Sequence, residues 1–304
     1  MHKNLKFLVI GGNQYREWKS IMGAVTVADQ LGYWGFVMPD HYMLAPEWGG
    51  NSTLDTWIAL TYLASKTEKI RLGTLVTPIP LRPPAILAKM IATLDIISNG
   101  RVVVGIGAGW SQTEFEGYSE WNDPRVRVNK TKEGLELMIK LWLDYDSKSK
   151  TDANPISFQG KYYHSKNAVL APKPVQKPYP KLLFGGTGLR MLKLAGIYSD
   201  ICCIPNWINS GNDSYENAKE IVLDTARKYN REDKISFATI LSLSRTQQSR
   251  FAPKYDRRLY NDSVEKIANE NNNKDEYYLI VPFSEEDYVE SIRDFGKNII
   301  PNYK

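Results

Sequence analysis

Cysteine is almost absent from this chain. Cys202 and Cys203 are the only two, and neighbouring Cα atoms, about 3.8 Å apart, fall short of ordinary disulfide spacing. A disulfide framework is therefore excluded. Histidine is nearly as scarce, with only His2, His41 and His164. No H-E-x-x-H or C-x-x-C spacing occurs, which argues against a metal-dependent hydrolase. No G-x-S-x-G elbow is present either, and a Schiff-base lysine is neither recognisable nor excluded. No apolar run approaches the roughly 20 residues of a membrane span. Met1–Ile10 lacks the apolar core and cleavage site of a signal peptide and reads as a first strand. The chain is expected to be cytoplasmic, with no membrane partner.

Concentrated charge is also missing. The formal net charge is +5, but 39 Lys and Arg are interspersed among 34 Asp and Glu, unlike the basic patches of nucleic-acid binders. No nucleic-acid partner is expected. A mild positive excess suits an anionic cofactor equally well.

What is present is alternation. Short β-rich apolar runs at Leu5–Ile10, Trp34–Met38, Ile70–Thr77, Arg101–Ile106, Leu182–Phe184, Asp200–Ile204, Ile235–Leu243 and Tyr277–Val281 alternate with stretches of helical period. These include Trp18–Leu31, Thr53–Ser65, Pro84–Ile97, Val126–Leu143, Tyr215–Tyr229 and Glu285–Ile299, and a helix from Thr187. About eight βα repeats in 304 residues predict an α/β fold closed into a TIM (β/α)8 barrel. One domain is expected over residues 1–304, with insertions near 147–180 and 246–276. The first carries Phe158–Tyr163, a candidate hairpin, and then a proline-rich connector. The second shows no clear strand and reads either as a lid over the barrel mouth or as a solvated loop with a short helix near Ser263–Asn269.

Active sites of such barrels lie at the carboxyl ends of the strands. Asp40-His41 follows the second strand there, and an imidazole beside a carboxylate can move a proton near neutral pH. Gly105-Ile106-Gly107-Ala108-Gly109-Trp110 ends the fourth strand. Trp110 stands where the third Gly of G-x-G-x-x-G belongs, so a dinucleotide fingerprint fails on spacing. Gly185-Gly186-Thr187-Gly188 runs from a strand into a helix N-terminus, a setting that attracts phosphate; Arg190 either adds charge or faces solvent. Gly73–Pro78 is either a core strand leaving the barrel or an apolar shelf for a ring system.

Taken together, Pro39-Asp40-His41-Tyr42-Met43, Arg71–Pro78, Leu87-Ala88-Lys89-Met90, Gly105–Trp110, Ala171–Pro178 and Gly185–Gly188 resemble the luciferase-like monooxygenase superfamily, within it the coenzyme F-420-dependent oxidoreductase branch. The resemblance covers roughly residues 5–205. It implies a barrel that binds F-420, or alternatively FMN, at its mouth, and that transfers a hydride to or from a small-molecule substrate. The third-strand end would form a bulge with a non-prolyl cis peptide around Thr74, Leu75 and Val76, against the ring. His41 would handle the proton and Asp40 would contact the cofactor. Gly107, Ala108 and Gly109 would flank the ring or tail, and Gly185, Gly186, Thr187, Gly188 and Leu189 would hold the phosphate.

Two departures stand out. Sugar-phosphate-oxidising relatives carry Glu where this chain has Trp110, with Glu114 the next available catalytic carboxylate or a solvated surface residue. Many relatives carry Pro where this chain has Leu189. Relatives are often dimers, so a homodimer is compatible, as Trp57, Trp121 and Trp142 are with either an interface or a core. An FMN-dependent monooxygenase, a non-catalytic flavin-storage barrel and a basic nucleic-acid binder are the alternatives to F-420 chemistry.

Overall fold

The computed structural model describes residues 5–12, 17–43, 53–143, 154–205, 214–243, 253–271, 276–284 and 286–303. In chain order its strands are β1 (Leu5–Ile10), β2 (Gly35–Met38), β3 (Arg71–Thr74), β4 (Thr77–Pro78) and β5 (Val102–Gly107). A hairpin of β6 (Ile156–Gln159) and β7 (His164–Ala168) follows, and then β8 (Lys181–Gly185), β9 (Ile201–Cys203), β10 (Ser236–Ile240) and β11 (Tyr277–Val281). Parallel pairing runs β3-β2-β1-β11-β10-β9-β8-β5. It closes where Leu72 and Gly73 of β3 meet Val102 and Val103 of β5. Eight strands thus form the closed barrel that the alternation predicts.

Closure dictates a two-sided strand. Leu8, Val37, Val103, Leu183, Cys203, Ala238 and Tyr278 fill the barrel interior. Their neighbours Phe7, Val9, Phe36, Val102, Val104, Leu182, Cys202, Phe237 and Leu279 face the helical layer. That is the period of two expected of a strand buried on both faces. It also parts the two cysteines: Cys202 points outward and Cys203 inward, both buried.

The outer layer comprises α1 (Trp18–Leu31), α2 (Thr56–Ala64), α3 (Pro84–Ile97), α4 (Gln112–Tyr118), α5 (Pro124–Leu143), α6 (Leu189–Tyr198), α7 (Tyr215–Lys228), α8 (Arg257–Glu270) and α9 (Tyr288–Asn298). Helix ends follow capping rules. Asp55 accepts from the Ile58 N–H, Ser111 from Glu114 and Asp256 from Leu259, and Gly32 ends α1 at φ 77°.

Three expectations are corrected. The run Ile70–Thr77 is not one strand, because it breaks between Thr74 and Thr77. The glycine-rich end of β5 is followed by an extra helix, α4, that periodicity did not reveal. Within 246–276, the short helix expected near Ser263–Asn269 extends over residues 257–270 and packs as a full barrel helix, not as a lid or part of a solvated loop. α8 buries Tyr260, Val264, Ile267 and Ala268, an i, i+4, i+7, i+8 stripe, with Tyr260 stacked on Phe283 at 5.5 Å. Residues 246–252 and 272–275 of that segment, and 147–153 of the other, lie outside the described residues. The expected hairpin forms, its turn held by Glu133, which accepts the N–H groups of Lys161, Tyr162 and Tyr163.

Candidate active site

Because all barrel strands are parallel, the segments that follow β2, β3, β5 and β8 share one end of the barrel. Asp40 and His41 lie there, but extended backbone sends adjacent side chains opposite ways. Asp40 turns into the barrel wall and is fully buried. Its oxygens accept a forked pair of bonds from Arg82, at 2.7 and 2.8 Å. The Thr77 hydroxyl donates to it at 2.8 Å and the Trp57 indole N–H at 3.2 Å. Burial raises the Asp40 carboxyl above its ordinary range, and the Arg82 guanidinium and the Thr77 hydroxyl oppose that rise. With its oxygens so engaged, Asp40 is a brace between β2 and the turn after β4.

His41 turns the other way, and its carboxylate partner is Glu114, 73 residues on. His41 Nδ1 lies 2.9 Å from Glu114 Oε2. The other oxygen, Oε1, accepts from the N–H of Tyr42 at 2.6 Å and of Met43 at 3.4 Å. Glu114 is only 1% exposed, so the reading of it as a solvated surface residue is corrected. Its placement follows from the Ser111-x-x-Glu114 spacing, which starts α4 and sets the third residue of the helix over the β2 exit. On the opposite side the hydroxyls of Thr53 and Thr56 donate to the carbonyls of His41 and Pro39. Residues 39–43 are thus held by α4 and by the threonines around the start of α2, with one imidazole nitrogen of His41 bonded to Glu114.

Between β3 and β4 the Leu75–Val76 peptide is cis. Thr74 is buried, its hydroxyl 3.0 Å from that of Thr77 and accepting from the Gly105 N–H at 3.1 Å. A Cβ on Gly105 would lie 2.0 Å from the Thr74 carbonyl oxygen, so only glycine lets β5 approach. Val76 packs over two further glycines. Added Cβ atoms at Gly107 and Gly185 would meet its side chain at 2.5 and 2.9 Å. Leu75 and Val76, half-buried, join Ile10 and Ile240 over the barrel interior, giving the mouth an apolar floor. Ala108 is partly buried against the core, and Gly109 turns at φ 78°.

Gly186, at φ 118°, Thr187, Gly188 and Leu189 are exposed at the start of α6. Gly188 is its N-cap and, as a glycine, supplies no side-chain cap to the helix N–H groups. Arg190 points away from this loop, donating to the Arg125 carbonyl and the Asn129 side chain on α5.

Sequence reasoning missed Arg82 and Thr77. A signal existed: Arg82 sits within Ile79-Pro80-Leu81-Arg82-Pro83-Pro84, and an arginine inside an apolar run needs a buried partner. A cleft of about 710 Å³ lies elsewhere, between α8 and α9, lined by Arg257 and Asp294, which pair with each other.

The luciferase-like monooxygenase family profile matches residues 7–276. The fold is similar to that of an F420-dependent secondary alcohol dehydrogenase solved with an F420–acetone adduct, at 20% identity over 99% of both chains and a TM-score of 0.75. It is similar as well to a coenzyme F420-dependent tetrahydromethanopterin reductase from Methanopyrus kandleri, at 18% identity over 99% of this chain and 100% of that one, TM-score 0.73. A third neighbour is the oxygenating constituent of 3,6-diketocamphane monooxygenase from Pseudomonas putida in complex with FMN, at 16% identity over 99% of both chains, TM-score 0.70. These neighbours are oxidoreductases and monooxygenases on one barrel, and with the profile spanning nearly the whole chain, this protein belongs to the luciferase-like monooxygenase family.

Proposed function

We propose that the protein is an oxidoreductase that transfers a hydride between the deazaflavin coenzyme F-420 and a small organic substrate at the barrel mouth. The observation that carries this reading is the His41–Glu114 pair, with Glu114 buried and Nδ1 held at 2.9 Å, at the barrel end that also carries the apolar bulge and the Gly186–Gly188 turn. The mouth fits a flat ring with a phosphorylated tail. Leu75 and Val76 offer an apolar shelf, Gly107, Ala108 and Gly109 a flank without bulky side chains, and the uncapped start of α6 a set of N–H donors for phosphate. When bound, the deazaflavin would supply the redox-active ring carbon. The chain's own residues bind, orient and handle the proton. Glu114 holds His41 at Nδ1, in this reading Nε2 carries the proton, and the Asp40–Arg82 brace holds that segment in register. A cytoplasmic setting is part of the same proposal, and no helix among the described residues is long and apolar enough to cross a membrane.

Fluorescence titration with F-420 and with FMN tests the cofactor. Saturable F-420 binding is expected, and tight FMN binding without F-420 binding would overturn the assignment. An FMN-dependent monooxygenase is the second reading, favoured by the FMN-bound neighbour; oxygen consumption with reduced FMN separates the two. In either case His41→Ala is expected to cost on the order of 100-fold in turnover. Unchanged turnover would instead indicate a flavin-storage role.

A further inference from the structure

Aromatic side chains surround the His41 segment. Trp110, directly after Gly109, is 49% exposed and meets the His41 ring edge-on at 5.8 Å. Tyr42 and Tyr118 lie 4.8 Å apart, with Tyr118 57% exposed. Among the described residues, the charged side chains nearest these rings are engaged with one another or with backbone. Arg82 lies 4.4 Å from the Tyr42 ring centre but is forked onto Asp40. Glu114 points its oxygens at His41 and at backbone N–H groups. Burial pushes the Tyr42 phenol up to about 12, so it too stays uncharged. Among the described residues, the exposed group beside the His41 ring is thus the Trp110 indole. A phosphate or carboxylate placed there would lose its water against aromatic carbon while the Arg82 guanidinium stays committed to Asp40, whereas a flat apolar body loses little hydration and gains offset or edge-on ring contacts.

We infer that Trp110 is a specificity-determining residue that selects a flat, uncharged, largely apolar substrate. The inference rests on the redox reading of the mouth above.

Isothermal titration of the full chain with 2-acetonaphthone, an uncharged bicyclic ketone, and with glucose 6-phosphate tests it. The wild type is expected to bind the ketone saturably and to show no saturable binding of the sugar phosphate. Trp110→Ala should weaken ketone binding about tenfold or more, and Trp110→Phe, which keeps a ring face, should retain most of it. Absence of ketone binding to the wild type, Trp110→Ala binding within twofold of wild type, or sugar phosphate binding as tight as the ketone would each overturn it. Thermal melts establish that both variants are folded. F-420 and FMN titrations on the same samples report separately on the cofactor: cofactor binding without ketone binding removes only the substrate inference, and ketone binding without cofactor binding removes only the redox reading.

Discussion

At the scale of single residues, the site is organised by two buried carboxylates with different tasks. Glu114 orients and Asp40 braces. Replacing Glu114 by Gln keeps an oxygen for the Tyr42 N–H but removes the charge opposite His41 Nδ1. Turnover is expected to fall about tenfold or more with little change in KM, because orientation and proton transfer are lost rather than binding; steady-state kinetics at two pH values would show it. Arg82→Met should be far costlier to folding, on the order of 3–5 kcal/mol, since it strands a buried carboxylate. The double variant Asp40→Leu with Arg82→Met should recover much of that loss. Denaturant melts of the single and double variants give the cycle, and simple additivity would contradict the brace. Adjacency in sequence suggested pairing Asp40 with His41; the alternating direction of side chains in extended backbone separates them and hands His41 to a residue on another βα unit.

Among elements, the break between β3 and β4 shapes the mouth. Its cause lies in the facing strand, where Gly105 admits the Thr74 carbonyl and Gly107 and Gly185 admit Val76. Gly105→Ala should therefore cost about 1–3 kcal/mol or more, as a backbone rather than a side chain must give way, and should lower Tm by several degrees in a thermal melt. Sequence pattern made every strand of the barrel visible, because parallel strands buried on both faces are nearly continuous apolar runs. It did not show the break, because Ile70–Thr77 reads as one β-rich run and the glycines that permit the bulge lie on β5 and β8. The full length and burial of α8, read only as a short helix near Ser263–Asn269, were missed for another reason. Its mean composition is polar, and only the spacing of Tyr260, Val264, Ile267 and Ala268 marks the buried side.

For the whole molecule, two lowered carboxylates tie the outer layer together and set its acid limit. Burial works to raise Asp29, but the N–H groups of Glu68, Lys69 and Ile70 outweigh it and hold the carboxyl below its ordinary value. Asp294 is lowered by its bond from Arg257 against partial burial, which pins α8 to α9. A depressed carboxyl stabilises the fold fully above its unfolded value and loses that contribution as pH falls through the folded one. Tm should thus hold from neutrality to about pH 5 and fall below about pH 4. A variant carrying Asp29→Asn and Asp294→Asn should start lower, by about 1 kcal/mol per site after solvent screening, and decline less steeply on acidification.

The amino-acid order alone determined that this chain makes eight parallel strands with helices outside, and which strand ends carry glycines and polar residues. Those are local properties of period and composition, read one segment at a time. Only the closed barrel decided which ends meet. Ring closure brings α4 over the exit of β2 and the turn after β4 beneath it, so Glu114 found His41 and Arg82 found Asp40 through space, where side-chain direction and burial, not sequence distance, choose the partner.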